Sequence, residues 1–201
     1  MIPVPGLDSV RCAWVEIRQE GFILHGFLLY RSTDHYFPEY LDGDGLDDLN
    51  IWTGDECAVF VVQSPSSQWI DYTRETNHPW WKLFGRYAAD SSSTFSELAR
   101  NVGNTAVLAV GEETLTLRDV FAPCLNQFQH SSEIARILHR FGLEPTEHPC
   151  LVLFRDLRSR DVWFVDLRDL RGLSELDLGK SLQSWFGGRH FARIMEEARH
   201  A

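Results

Sequence analysis

Four places in this chain hold residue types whose spacing could do chemistry. The first is Asp42-Gly-Asp-Gly-Leu-Asp-Asp48, a D-x-D-G-x-x-D pattern. Alternate carboxylates around a glycine bend suit a calcium ion, which takes about six to eight oxygen ligands. Asp42, Asp44 and Asp48 are the candidate ligands. The stricter EF-hand pattern fails, because Leu46 stands where an oxygen belongs and Asp47 where glycine belongs. The expectation is an acidic, solvated turn that stays metal-free at cytosolic calcium.

The second place is His148-Pro149-Cys150. An imidazole near a thiol lowers its pKa and makes it nucleophilic, and residues two apart on a strand share a face. Cys150 and His148 are therefore the candidates for catalysis. The apolar run Leu151-Val-Leu-Phe154 that follows favours a buried, inert thiol. The third place is aromatic: Trp69, Tyr72, Trp80, Trp81 and Phe84 could line a ligand groove, although aromatics at helical spacing more often fill a core. Arg155, Arg158 and Arg160 could clamp an anion, but the aspartates between them favour mutual ion pairing. No Ser-His-Asp signature, phosphate loop or dinucleotide fingerprint is present, which counts against an enzyme.

The elements that must position these residues follow from periodicity and punctuation. Cys12–Ile17 and Phe22–Tyr30, around a Gly21 turn, read as an N-terminal β-hairpin, and the polar stretch to Asn50 reads as an acidic loop. Cys57–Val62 reads as a strand buried on both faces. Ser64-Pro65 starts a helix, with Ser64 as the capping residue, and the segment from Pro79 to Asn101 is a helical insertion. Thr105–Val110 and Thr114–Leu117 form a second hairpin. A helix runs from Ser131 or Ser132 to Phe141, stopped by Gly142 and Pro145. Cys150–Phe154 and Val162–Val165 form a third hairpin, and Lys180–His200 a final helical region interrupted at Gly187-Gly188.

Composition bounds the rest. A chain of 201 residues, 44% hydrophobic with seven Trp, can bury a core without metal or disulfide staples and is read as a single domain, residues 1–201. Residues 1–50 carry the hairpin and acidic loop, and residues 51–201 the α/β core. Cys12, Cys57, Cys124 and Cys150 are widely spaced with no C-x-x-C pair, which argues against zinc and dithiol redox chemistry. The net charge of −10 makes nucleic acid or an anionic membrane an unfavoured partner. The charge is uneven: residues 34–56 hold eight carboxylates and no Lys or Arg. With no apolar run of about 20 residues and no leader-like start, the expected location is the cytoplasm.

From Cys57 onward the order strand, helix, insertion, strand, helix, strand, strand, helix resembles the thioredoxin-like fold. The fold class expected is mixed α/β, a central mixed sheet flanked by helices. Two positions carry the likeness: a strand running into a capped helix at Ser64-Pro65-Ser66-Ser67, and Pro149 immediately before a strand. The family holds its redox cysteines at the first and a facing cis-proline at the second. The resemblance therefore implies a redox-inactive scaffold, without cofactor, that binds through Ser64, Ser67 and Pro149, with Pro149 cis and facing the Ser64 helix; Trp69, Trp80 and Trp81 of the aromatic cluster, as a ligand groove or partner surface, complete the expected binding residues. The function expected is a non-catalytic module that binds a protein partner. The alternatives are an enzyme using Cys150 and a calcium-binding protein using Asp42 to Asp48.

Overall fold

The computed structural model describes residues 2–4, 6–31, 34, 36–42, 45–62, 75–76, 107–110, 113–116, 130–145 and 148–200. The chain divides into two compact units, one made of Met1–Ile2, Gly21–Val62 and Ile134–Ala201, the other of Pro3–Glu20 and Gln63–Glu133. A short strand, β1 (Ile2–Val4), has residues in both.

The second unit holds helices α1 (Leu7–Cys12) and α2 (Trp14–Gln19) and the antiparallel pair β4 (Val107–Val110) and β5 (Glu113–Thr116). Leu7, Val10, Trp14 and Ile17 are buried, and their spacing of three or four residues lays them along one helical stripe. The expected N-terminal hairpin is therefore corrected. Cys12–Ile17 lies in helical segments, and the apolar stripe is helical rather than alternating. The β4–β5 hairpin was expected and is present.

The first unit is built on a mixed sheet in the order β3-β2-β6-β7. Its strands are β2 (Leu24–Leu29), β3 (Cys57–Val62), β6 (Cys150–Phe154) and β7 (Val162–Asp166). β2 runs parallel to β3, with Leu24 beside Cys57 and Leu28 beside Val61. It runs antiparallel to β6, with Leu29 beside Cys150, and β6 pairs antiparallel with β7. Every residue of β2, β3 and β6 is buried, as continuous apolar strands must be when both sheet faces are covered. Phe22–Tyr30 is thus the sheet's interior strand and not half of a hairpin. A thioredoxin-like order counted from Cys57 requires the Cys57 and Cys150 strands to be neighbours, and this is corrected: they share the sheet but are separated by β2. Gly26 on β2 leaves room for the β6 side chains: a Cβ there would lie 2.7 Å from Leu153 Cδ2.

The acidic stretch between β2 and β3 is also corrected, from loop to two helices, α3 (Tyr36–Asp42) and α4 (Gly45–Thr53). Phe37, Tyr40 and Leu41 on α3, and Leu46 and Leu49 on α4, are buried at helical spacing. Gly45 opens α4 because a Cβ there would come within 2.4 Å of the Tyr40 carbonyl oxygen.

The C-terminal half follows its sequence signals closely. α5 (His130–Arg140) ends at Gly142, whose φ of +74° lets its amide and that of Leu143 return to the His139 and Leu138 carbonyls at 3.0 and 2.9 Å. In the β6–β7 turn, the Asp156 carboxylate accepts from the Arg158 amide at 2.9 Å. The final helical region is two helices, α6 (Glu175–Phe186) and α7 (Arg189–His200), parted at Gly187-Gly188. α6 begins five residues before the expected Lys180. The Ser174 hydroxyl caps it by accepting from the Asp177 amide. Among the described residues, no helix is long and apolar enough to cross a membrane.

Candidate functional site

In the first unit, three loops meet at the end of the sheet where β2 finishes, β6 begins and β7 finishes. The register fixes this, since Leu29 pairs with Cys150 and Cys150 pairs with Asp166. The carboxyl ends of parallel strands are where open α/β sheets most often hold ligands. From the β2 loop comes Asp34, from the segment before β6 His148, and from the segment after β7 Arg171.

Asp34 is the hub. Its Oδ2 accepts the Arg31 amide at 2.7 Å, closing a turn in which the Asp34 amide donates back to the Arg31 carbonyl at 2.9 Å. The same carboxylate lies 3.6 Å from His148 Nδ1 and 3.4 Å from Arg171 Nε. Arg171 Nη2 also donates to the His148 carbonyl oxygen. The side chains of Asp34 and His148 are 7% and 5% exposed, that of Arg171 45%. The result is a buried carboxylate and imidazole covered by one half-exposed guanidinium.

Burial is the main cause that holds the His148 pKa below its ordinary value of 6.5. The Arg31 charge, and more weakly that of Arg171, add to it against the opposing pull of Asp34. The folded protein thus prefers neutral His148 more than the unfolded chain does. Stability from this source is complete above pH 6.5 and is lost as pH falls from there toward the lowered folded value. His148→Gln is expected to flatten that acid-side decline in urea unfolding measured across pH. An unchanged slope would show that His148 does not titrate with folding.

The sequence-derived candidates separate. His148 belongs to this cluster, and the His148–Pro149 peptide is cis, as expected. The Pro149 carbonyl accepts the Leu167 amide at 3.0 Å. Cys150 is fully buried in β6, and Cys57 is 2% exposed in β3, where burial pushes its thiol up to about 12. Neither thiol is placed to act as a nucleophile.

Asp48 receives the Tyr40 hydroxyl at 3.4 Å, and Asp42 ends α3, so the acidic motif is a helix end followed by a helix start. Among the described residues, no group of three or more His, Cys, Asp or Glu could hold a metal ion. Ser64, Ser67, Trp69, Trp80, Trp81 and Asp44 lie outside the described residues, as does the helix that Pro149 was expected to face.

Asp34, Arg31 and Arg171 were missed by motif reading. Positions 34, 148 and 171 share no local pattern, and only the sheet register brings them together. No family model, no curated protein and no solved structure matches this chain.

Proposed function

We propose that the protein is a non-catalytic binding module on a redox-inactive, thioredoxin-like scaffold, acting through the sheet end that carries Asp34, His148 and Arg171. The observation that carries this reading is the element order of the first unit when counted from β2: strand, helices, strand, then α5, two antiparallel strands and closing helices. That order resembles the thioredoxin-like family with β2, not the Cys57 strand, as its first strand. The place where the family keeps its redox cysteines then falls on Arg31-Ser-Thr-Asp34, which has no thiol. A polar cluster takes the place of a dithiol, so binding rather than electron exchange is the activity that its chemistry favours.

The test is cysteine-resolved alkylation followed by mass spectrometry, alongside an insulin-disulfide reduction assay. Cys57 and Cys150 should stay unmodified in the native protein and alkylate only after denaturation, and no disulfide reduction should be seen. Modification of Cys150 in the native protein, or reductase activity lost on Cys150→Ala, would replace the binding reading with the thiol enzyme.

A further inference from the structure

Resting on that binding reading, we infer that the Arg171 guanidinium forms a recognition site for an oxyanion, a carboxylate or a phosphate group carried by the ligand. Arginine recognises such groups with a planar fork of donors, and does so best where the fork is already held in place. Arg171 is held twice, through Nε at 3.4 Å from Asp34 Oδ1 and through Nη2 on the His148 carbonyl. Nη1 has no acceptor among the described residues, while nearly half of the side chain remains exposed.

The buried layer beneath it points to a built site rather than a surface ion pair. His148 Nδ1 is enclosed, with the Asp34 carboxylate 3.6 Å away. Arg31 lies close enough for its charge to oppose protonation of that ring. Asp166, the further carboxylate within reach of the Arg171 charge, is paired with Arg168, so Arg31, Arg168 and Arg171 against Asp34 and Asp166 leave one positive charge here within a chain of net charge −10. An anion is the ligand class such a spot selects.

Binding should also move protons. The charges facing His148 are Arg31 and Asp34 from the β2 loop and Arg171 from the segment after β7. An anion seated on Arg171 offsets one of the charges that, with burial, keep the ring neutral, so it should raise the His148 pKa and bind more tightly as pH falls.

The experiment follows the His148 imidazole signals by NMR in 15N-histidine-labelled full-length protein titrated with inorganic phosphate. A second arm uses an N-acetylated peptide with a free C-terminal carboxylate, and a third the same peptide amidated. Saturable His148 shifts with phosphate, or with the free-acid but not the amidated peptide, are expected and assign the source of the oxyanion. Arg171→Ala should weaken binding by about tenfold or more, and Arg171→Lys, which keeps the charge but loses the fork, should fall between. Arg193→Ala, on the exposed face of α7 in an ion pair with Glu197 at 3.5 Å, should change nothing.

The inference is overturned if no probe gives a saturable shift, if Arg171→Lys binds as the wild type does, or if Arg193→Ala weakens binding equally. Failure here with both thiols still protected removes only the oxyanion site. Thiols reactive in the native protein remove the underlying binding reading whatever the titration shows.

Discussion

Replacing Phe27 with alanine is expected to lower the unfolding free energy by about 3–5 kcal/mol, the range for deleting a fully enclosed aromatic ring. Phe27 sits on β2 with no exposed surface. Its ring centroid lies 5.5 Å from that of Phe60 on β3, 5.4 Å from Phe154 on β6 and 6.3 Å from Phe141 just past α5. One side chain thus joins both neighbours of the interior strand to the helix end packed against them. Two of the three surrounding rings, Phe60 and Phe154, belong to strands whose spacing is fixed by backbone pairing, so the cavity cannot readily collapse. Urea unfolding followed by circular dichroism should show a lower midpoint with an unchanged slope, since the same surface is still exposed on unfolding. A loss under about 1 kcal/mol would mean that β2 is not the centre of this core.

The same core explains how much of the architecture the sequence displayed. Cys57–Val62 and Cys150–Phe154 are short, continuous and β-branched or leucine-rich, and that density of apolar side chains is a property of the local string. Gly142 marks a helix end because the left-handed conformation it permits is also local, and Gly188 marks another because a Cβ there would lie 2.9 Å from the Ser184 carbonyl oxygen. Phe22–Tyr30 was recognisable as a strand, yet its place between β3 and β6 depends on pairings across more than a hundred residues, as with Leu29 and Cys150. Helices α1 and α2 are six residues each. In helices that short, tertiary burial of one stripe outweighs intrinsic propensity, so Trp14 and Glu16 read as easily as strand alternation. The site was legible only at His148-Pro149. Asp34 looked like one carboxylate in an acidic run, and Arg171 like one arginine among alternating charges. Their meaning comes from the sheet register that brings their segments together, which has no local signature.

Asp34→Ala is expected to cost about 2–3 kcal/mol at neutral pH, less than the loss of a fully buried ion pair because Arg171 is half exposed and water can take over part of its charge. Two distinct effects are contained in that figure. The Arg31 amide loses the acceptor that lies at 2.7 Å, and the turn joining β2 to α3 loses its closing bond. His148 and Arg171 lose their common counter-charge. Asp34→Asn separates the two, because an amide oxygen still accepts from the Arg31 amide while the charge is gone, so about half of the loss should return. The charge component has its own pH signature. With Asp34 removed, Arg31 and Arg171 act on His148 unopposed and burial still disfavours the imidazolium, so the folded His148 pKa should fall further. The acid-side decline in stability still begins near 6.5, the ordinary histidine value, and now continues to lower pH in both variants. Urea midpoints measured at several pH values, together with the His148 imidazole shift, provide the check. If Asp34→Asn is as damaging as Asp34→Ala, the carboxylate's charge outweighs the turn it closes. If neither variant shifts the His148 titration, Asp34 and His148 are not coupled, and the cluster has no shared electrostatics.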